Sequence, residues 1–594
     1  MLTRWVTAFV GLAVLLPGVA RADKTTDKVL AAVPANAIAF VCVPNLQQLD
    51  SDVQEAITKL GLAPLINPPG MASPIGLLEQ FLGMSDGLDT SGSLILAVLP
   101  PANPAIPIPQ TALIVPATDP KALLTAMGGT PGEGGQWTLS IREKPHFAIA
   151  GDGRIVLSDS AETAKAVAEG KTGIADSVSQ ADRDAMVGLD LTIWIDARKL
   201  IKTFRQQIDG MVAMISMMQP AGSIEAAASG QDQIKKFMDG ASSLLLGVSL
   251  ADSGVGLRFV MGVRPGSEIA KQMNTATTTK PLLNGLPPDS YMLAFGQTID
   301  PAATMASLGD MDPWFEAMGQ AAQLNEEQAG TLTDLFKEWL GSLTGLRGVV
   351  SALPAGPNGI IGLCLLMDTG DSAKSLTQLG EAMKAIGEMD PEDSEAKQVI
   401  AALTHNPEAE DMDGTIVQHV KFDLAKMDDV DEEDLEEITP IIGQDGLLLR
   451  VAAVDDDTVA IAFGGGRDYM QLVIEHAKSD EPVLDSDPGI LRVADHVPSD
   501  RAYATYIAVD RIINCIGTGA KALDDEEFPV HMAELNAPIA IVGSGGDGWV
   551  RADIYLPTEL IDAAKNAIMG ILASQMGGPG MGEPDMGEPD GSPN

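Results

Sequence analysis

The side chains best suited to chemistry in this sequence are scattered, and none falls into the spacing that a reaction or a metal would demand. There are six histidines: His146, His405, His419, His476, His496 and His531. None stands in H-E-x-x-H or H-x-H, and zinc needs three or four convergent ligands. They therefore read as surface or turn residues. A hydrolase nucleophile elbow is written G-x-S-x-G on a strand-to-helix turn. The nearest string, Gly543-Ser544-Gly545-Gly546-Asp547-Gly548, lies between two strand-like runs, Pro538 to Val542 and Trp549 to Tyr555. That context predicts a hairpin. Gly464-Gly465-Gly466-Arg467 sits between a strand-like and a helix-like run, where backbone N–H groups can meet phosphate. It lacks the Lys-Ser/Thr of a P-loop, so it reads as a tight strand–helix turn. Asp455-Asp456-Asp457 and the acidic run from Met427 to Glu437 offer carboxylate oxygens. Calcium takes such ligands, but the EF-hand spacing is absent, and only loose association with divalent cations is expected. Met211, Met214, Met217 and Met218 fall at helical spacing. They read as core, with an adaptable apolar binding surface as the competing reading. No catalytic, cofactor-binding or metal residue is assigned.

The elements that would position any site come from an internal repeat. Pro34 to Val43 shares its pattern with Pro287 onward, a shift of 253 residues. Ala97-Val98-Leu99-Pro100 is matched by Ser351-Ala352-Leu353-Pro354 at 254, and Asp119 to Leu124 by Asp371 to Leu376 at 252. Chance does not hold one offset over so many residues. Phe147 to Val156 then resembles Val451 to Ala460 at a shift of 304. Both are apolar runs around an Asp/Gly turn, the mark of a hairpin. Leu191 to Arg198 resembles Ala504 to Arg511, and Arg258 lines up with Arg551.

The chain thus reads as two tandem copies, 23–280 and 286–575, with an acidic insertion near 389–445 that accounts for the growing offset. Within the insertion, Thr415 to Phe422 alternates as an added edge strand would. Each copy reads as strand–helix–strand–strand–helix units. Strands joined by tight turns pair antiparallel. The expected fold class is α+β, antiparallel sheets covered by helices. From 577 to 594 the sequence repeats Met-Gly-Glu-Pro-Asp and reads as a disordered tail.

Composition narrows the partners. The formal net charge is −44. Nucleic-acid binding needs a basic footprint, so it is excluded as a function class. Three cysteines, Cys42, Cys364 and Cys515, make no disulfide framework. Cys42 and Cys364 lie in apolar runs and read as buried free thiols.

Residues 1–22 carry Arg4, an apolar run from Trp5 to Val19 and a small-x-small site at Ala20-Arg21-Ala22. That is the pattern of a secretory signal peptide cleaved before Asp23. No later stretch is apolar for the ~18 residues of a membrane span. A periplasmic or extracellular location is expected.

The opening "proline, Asn/Asp, strand, Asn/Asp, helix" occurs at Pro34 to Asn45, Pro287 to Asp300 and Pro498 to Asp510. Together with the signal peptide and segments such as Val115 to Leu124, it resembles uncharacterised secreted bacterial proteins classified only as a domain of unknown function. The resemblance implies an extracytoplasmic α+β protein and carries no catalytic residues. The expected function is that of a non-enzymatic binding or structural protein of the bacterial cell envelope. The alternatives are an extracytoplasmic hydrolase with a site assembled from distant residues, or a carrier of hydrophobic ligands.

Overall fold

The computed structural model describes residues 23–566 apart from 60–72, 104–106, 142, 171–172, 218–233, 273–276, 289, 309–325, 390–393, 429, 480 and 525–531. The expected signal peptide and the 577–594 tail lie outside the described residues.

Among the described residues twenty strands form one sheet, and the chain is a mixed α+β structure. The first ten are β1 Ala39–Val43, β2 Leu94–Leu99, β3 Gln110–Pro116, β4 Thr130–Pro131, β5 Gln136–Ile141, β6 Lys144–Ala150, β7 Arg154–Ser158, β8 Leu191–Asp196, β9 Ala241–Ala251 and β10 Gly254–Val263. The second ten are β11 Tyr291–Thr298, β12 Leu343–Ala352, β13 Ile361–Thr369, β14 Leu403–Met412, β15 Thr415–Phe422, β16 Leu447–Ala453, β17 Thr458–Phe463, β18 Tyr503–Ile507, β19 Ile539–Gly546 and β20 Trp549–Pro557.

Every pairing is antiparallel. The spatial order of the first ten is β4-β5-β6-β7-β3-β2-β1-β8-β9-β10. Beyond β10 the sheet continues β20-β19-β18-β11-β12-β13-β17-β16-β15-β14. The second ten strands are thus joined in the same pattern as the first. The two runs meet where β10 pairs with β20, with Phe259 opposite Ala552.

A period of two along each strand sends alternate side chains to opposite faces. On the closed face of the first run, Phe40, Cys42, Ile95, Ile114, Trp194, Leu245 and Val260 form a core. Over it pack the helices Asp23–Ala32, Ala161–Glu169 and Gln180–Met186, through residues such as Leu30, Val167 and Met186. On the same face of the second run, Ala294, Val349, Cys364, Tyr506 and Val542 pack under helices Gly466–Ser479 and Pro488–Ala494. The other face is covered toward its two ends. Helices Leu46–Lys59, Pro74–Leu82 and Pro120–Ala126 cover one end, and Glu326–Gly341 with Ser372–Gly387 the other.

Helix starts follow local chemistry. Asp119, Ser73 and Asp487 each accept backbone N–H groups with their side chains, and each precedes a proline in the first turn. Both features satisfy groups that a helix start leaves unpaired.

Two sequence expectations change in detail. A constant shift of 253 sets Val41 against Ala294. Those residues do lie on β1 and β11, which hold the same place in the pairing pattern. However, the ladder shifts between Tyr291 and Leu293. This irregularity adds one residue and flips the faces. Phe40, between Ala97 and Trp194, therefore takes the position of Ala294, between Val349 and Tyr506.

The acidic insertion near 389–445 is not wholly without counterpart in the first run. Thr415 to Phe422 is a strand, as its alternation suggests, but β14 lies outside it and makes it interior. β14 and β15 stand beside β16 as β4 and β5 stand beside β6. The helix Glu432–Ile442, capped by Asp431 and Asp434 in a reciprocal box, adds the acidic surface.

Among the described residues no helix is long and apolar enough to cross a membrane. Cys42, Cys364 and Cys515 are buried free thiols.

Candidate functional site

Between the helices that pack on it, among the described residues, the second face is apolar and partly exposed at the β10–β20 joint. β8, β9 and β10 send Ile193, Ile195, Leu244, Leu246, Phe259 and Met261 to it, and β20 sends Val550 and Ala552. With Tyr503 and Gly543 they line a trough of about 490 Å³ across the β10–β20 joint. That is within the size range of small-molecule pockets, roughly 300–1,000 Å³. Phe259 is 48% exposed at its centre. Burial pushes the Tyr503 phenol above its ordinary range, helped by the negative charge of Asp553. Position 543 must be glycine, because a Cβ there would stand 1.8 Å from the Tyr503 ring. The ring lies across the bare backbone of β19.

The closed face beneath the trough is held by charge. Arg258 Nε donates to Asp553 Oδ1 at 2.8 Å, and Arg551 Nη2 donates to the same oxygen at 2.9 Å. Arg258 Nη1 also donates to the carbonyls of Ala185 and Val187 at 2.8 and 3.2 Å, at the end of helix Gln180–Met186. Burial, then the neighbouring Arg551, push the Arg258 guanidinium below its ordinary value, while Asp553 opposes them. Arg258 and Arg551 thus meet over one carboxylate, but the ladders do not set them in equivalent places: Phe40–Trp194–Leu245–Val260 matches Ala294–Tyr506–Ala540–Tyr555, which puts Arg258 in the position of Asp553, two residues from the sequence alignment.

A second, polar pocket of about 540 Å³ opens where β9 begins and β10 ends. Lys235, Lys236, Arg264, Ser267, Asp239 and Glu268 contribute to its wall. Arg264 N donates to Gly240 O at 2.7 Å, closing the hairpin end. Ser267 Oγ donates to Arg264 O at 2.8 Å, and Glu268 pairs with Lys271 at 2.7 Å.

The sequence candidates are used structurally. Gly543 to Gly548 is the β19–β20 hairpin, with Gly548 at φ +83° in the turn, and Ser544 is buried. The Gly464–Gly466 turn is filled by the chain itself. Gly465 N donates to Asn358 O at 3.0 Å, and the Asn358 side chain stands against Gly466. Asp455 Oδ1 accepts the N–H groups of Asp457 and Thr458 at 3.1 and 2.7 Å in the β16–β17 turn. Burial raises its pKa, but these hydrogen bonds outweigh burial and hold it below the ordinary range. Among the described residues no three His, Cys, Asp or Glu side chains gather as a metal ion would need.

His419 pairs with Glu410 at 2.9 Å, and Arg467 reaches the other oxygen of Glu410 at 2.7 Å. His405 Nε2 meets Gln418 Oε1 at 3.0 Å, and His146 Nδ1 meets Lys144 O at 3.0 Å. His476 lies in the last turn of helix Gly466–Ser479, and His531 lies outside the described residues. Met211 and Met214 are exposed on helix Ala197–Met217 instead of buried.

Two contacts have no signal in the sequence. Ser253, at the β9–β10 turn, stands 3.1 Å from His496 Nε2, 243 residues away. The His496 ring stacks on Tyr555 at 4.3 Å, and burial lowers its pKa. Nucleophile activation needs a third group to orient the base. Among the described residues no carboxylate is hydrogen-bonded to that ring, and the contact works as a clasp. The other is Asp190, whose Oδ2 accepts Leu250 N at 2.7 Å. Burial pushes this carboxyl up to about 7, against the Leu250 hydrogen bond and with help from Asp52.

No protein-family model matches the chain, and no curated protein does. Among solved structures, crystal form III of TP0453 is 10% identical and covers 49% of this chain and 99% of its own, with a TM-score of 0.21. Crystal form IV of TP0453, also 10% identical, covers 48% and 96% with a TM-score of 0.20. At such scores the likeness transfers neither fold nor function.

Proposed function

We propose that this is a secreted, non-enzymatic binding protein of the bacterial cell envelope, periplasmic or extracellular, that holds an apolar ligand over the β10–β20 joint. Two tandem copies of one α+β unit, 23–280 and 286–575, build that joint from equivalent hairpins. The repeated pairing pattern supports the duplication. The trough carries the binding reading. Isolated exposed apolar residues are ordinary, but a contiguous concave apolar surface marks a ligand or partner site.

The test uses the full chain and a neutral apolar fluorophore, N-phenyl-1-naphthylamine. Saturable binding of one probe per chain is expected, with enhanced emission. Ile195→Asp places a charge on the trough floor and should abolish the enhancement while leaving the thermal transition in place. Absence of saturable binding, or binding untouched by Ile195→Asp and by Phe259→Ser alike, overturns the reading.

A further inference from the structure

The two runs of the sheet let one row be read twice. In the first run Leu191, Val248 and Leu257 stand side by side across β8, β9 and β10. Their counterparts across β18, β19 and β20 are Tyr503, Gly543 and Ala552. Leu191 and Val248 are buried, and with Leu257 they pack in the core under helix Leu46–Lys59. Where the first run has Val248 and Leu257, the second has only Gly543 and Ala552, and the floor drops there. Beyond Ala552 the row continues to Phe259. The trough is thus a core position without its two inner side chains, flanked by an aromatic ring on either side.

One polar group on its wall is left over. The Tyr503 ring passes over Gly543, where Cε1, Cδ1 and Cζ are the atoms that a Cβ would meet. This carries the hydroxyl past the β19 backbone toward β20. Burial and the charge of Asp553 keep the phenol protonated, so it is a donor. Among the described residues no group hydrogen-bonds to it. The other polar side chains on the wall are turned away. Arg551 is bonded to Asp553 on the closed face, and Ser544, paired opposite Arg551, points the same way. Among the described residues the wall holds no further cation, and the net charge of −44 repels anions.

From this row we infer that the ligand is an uncharged, largely apolar molecule with an acceptor oxygen, which Tyr503 Oη binds as donor while the apolar body lies over Ala552 against Phe259. The inference rests on the trough reading and adds the ligand's polar group and the residue that reads it. A buried donor left without its partner is costly, so Tyr503 selects for the oxygen as well as holding it.

Competition against N-phenyl-1-naphthylamine on the full chain tests this with 2-acetylnaphthalene, 2-ethylnaphthalene and 2-naphthoate, which share one ring system. The ketone and the hydrocarbon differ at a single carbon, C=O against CH₂. Tyr503→Phe should raise the ketone concentration needed to displace the probe about fivefold, the size of a net hydrogen bond. It should leave the hydrocarbon curve unchanged, which also shows that the variant is folded. At low salt 2-naphthoate should compete more weakly than the ketone. In the native chain the carbonyl stretch of the bound ketone should lie below its position in hexane, as it does for a hydrogen-bonded carbonyl. A stretch at the hexane position, or a ketone curve that Tyr503→Phe leaves in place, overturns the role of Tyr503. Stronger competition by 2-naphthoate overturns the uncharged class. Each of these leaves the apolar trough standing, whereas failure of the probe itself to bind saturably removes the trough reading instead.

Discussion

The two faces of the sheet at the β10–β20 joint are built from the same strands and end in opposite states. Leu245 and Val260, on the closed face, are 2% exposed each, whereas Phe259, one residue along on the other face, is 48% exposed. The chemistry of the side chains does not separate them, since Phe259, Met261, Leu244 and Leu246 are as apolar as their covered neighbours. What differs is the cover. The closed face receives helix Gln180–Met186, held down by the Arg258 hydrogen bonds to Ala185 and Val187. On the other face helices pack toward the two ends of the sheet, and helix Val509–Asp524 packs over β11 and β12 through Ile512 and Cys515, but none of these clusters includes Phe259. An apolar strand pattern therefore states that a face wants burial, and the connections decide whether this chain supplies it.

The strongest test of the contrast is a deletion on the closed face. Trp194 is 1% exposed, stacks on Phe40 at 5.6 Å and donates from Nε1 to Asp182 Oδ2 at 3.3 Å. Trp194→Ala should cost about 3–5 kcal/mol through lost transfer and an unfilled cavity. Chemical denaturation would read this as a lower midpoint at unchanged slope.

The charged clamp comes next. Asp553 sits between Arg258 and Arg551 with 7% of its side chain exposed. Asp553→Asn keeps the shape and leaves two arginines without their counter-charge. Removing one partner of a buried pair costs several kcal/mol, and about 3 kcal/mol is expected here because both guanidinium groups reach some water. Adding Arg551→Met should recover part of the loss, and a double-mutant cycle measures how much.

A third test lies where the second face is covered. The Asp190 carboxyl is raised to about 7 by burial. Its folded value lies above the unfolded one, so the native state binds the proton more tightly. Stability is then greatest below the unfolded pKa and falls as pH rises toward 7, with the full penalty above it. Asp190→Asn retains an oxygen for Leu250 N–H and removes the titration. The variant should match the native chain near pH 4 and exceed it at pH 8 by on the order of 1–3 kcal/mol. Equal stability at both pH values would show that the cover over Asp190 admits water.

Much of this architecture was legible before the structure. Val, Ile and Leu runs ending in Pro, Gly or Asp marked the strands, and the pairing of Phe147 to Val156 with Val451 to Ala460 marked one hairpin in each run. The one-residue irregularity at Tyr291 was not legible, because a bulge leaves the apolar composition of β11 unchanged. The trough was hidden for a different reason. Its residues come from β8, β9, β10, β18, β19 and β20, and only long-range pairing brings Ile195 and Ala552 onto one surface. The same holds for Ser253 and His496. The four methionines at helical spacing suggested core, yet Met211 and Met214 are exposed, since periodicity shows an apolar stripe and not what lies against it.

The smallest expected effect is the most discriminating. Phe259 is the most exposed part of the trough and stands opposite Ala552 at the centre of the sheet. If the open face contributed to folding as the closed face does, Phe259→Ser would behave like Trp194→Ala. At 48% exposure Phe259 has only about half the burial of a core side chain to lose. Serine at this position should cost about 1 kcal/mol, well below Trp194→Ala. The same change removes the largest apolar group from the trough, so emission of bound N-phenyl-1-naphthylamine should fall severalfold at equal protein concentration. Loss of binding with so small a loss of stability is the signature of a surface kept apolar for a ligand. A loss of several kcal/mol would instead show that the chain itself closes over Phe259, and that the two faces differ in which segment covers them.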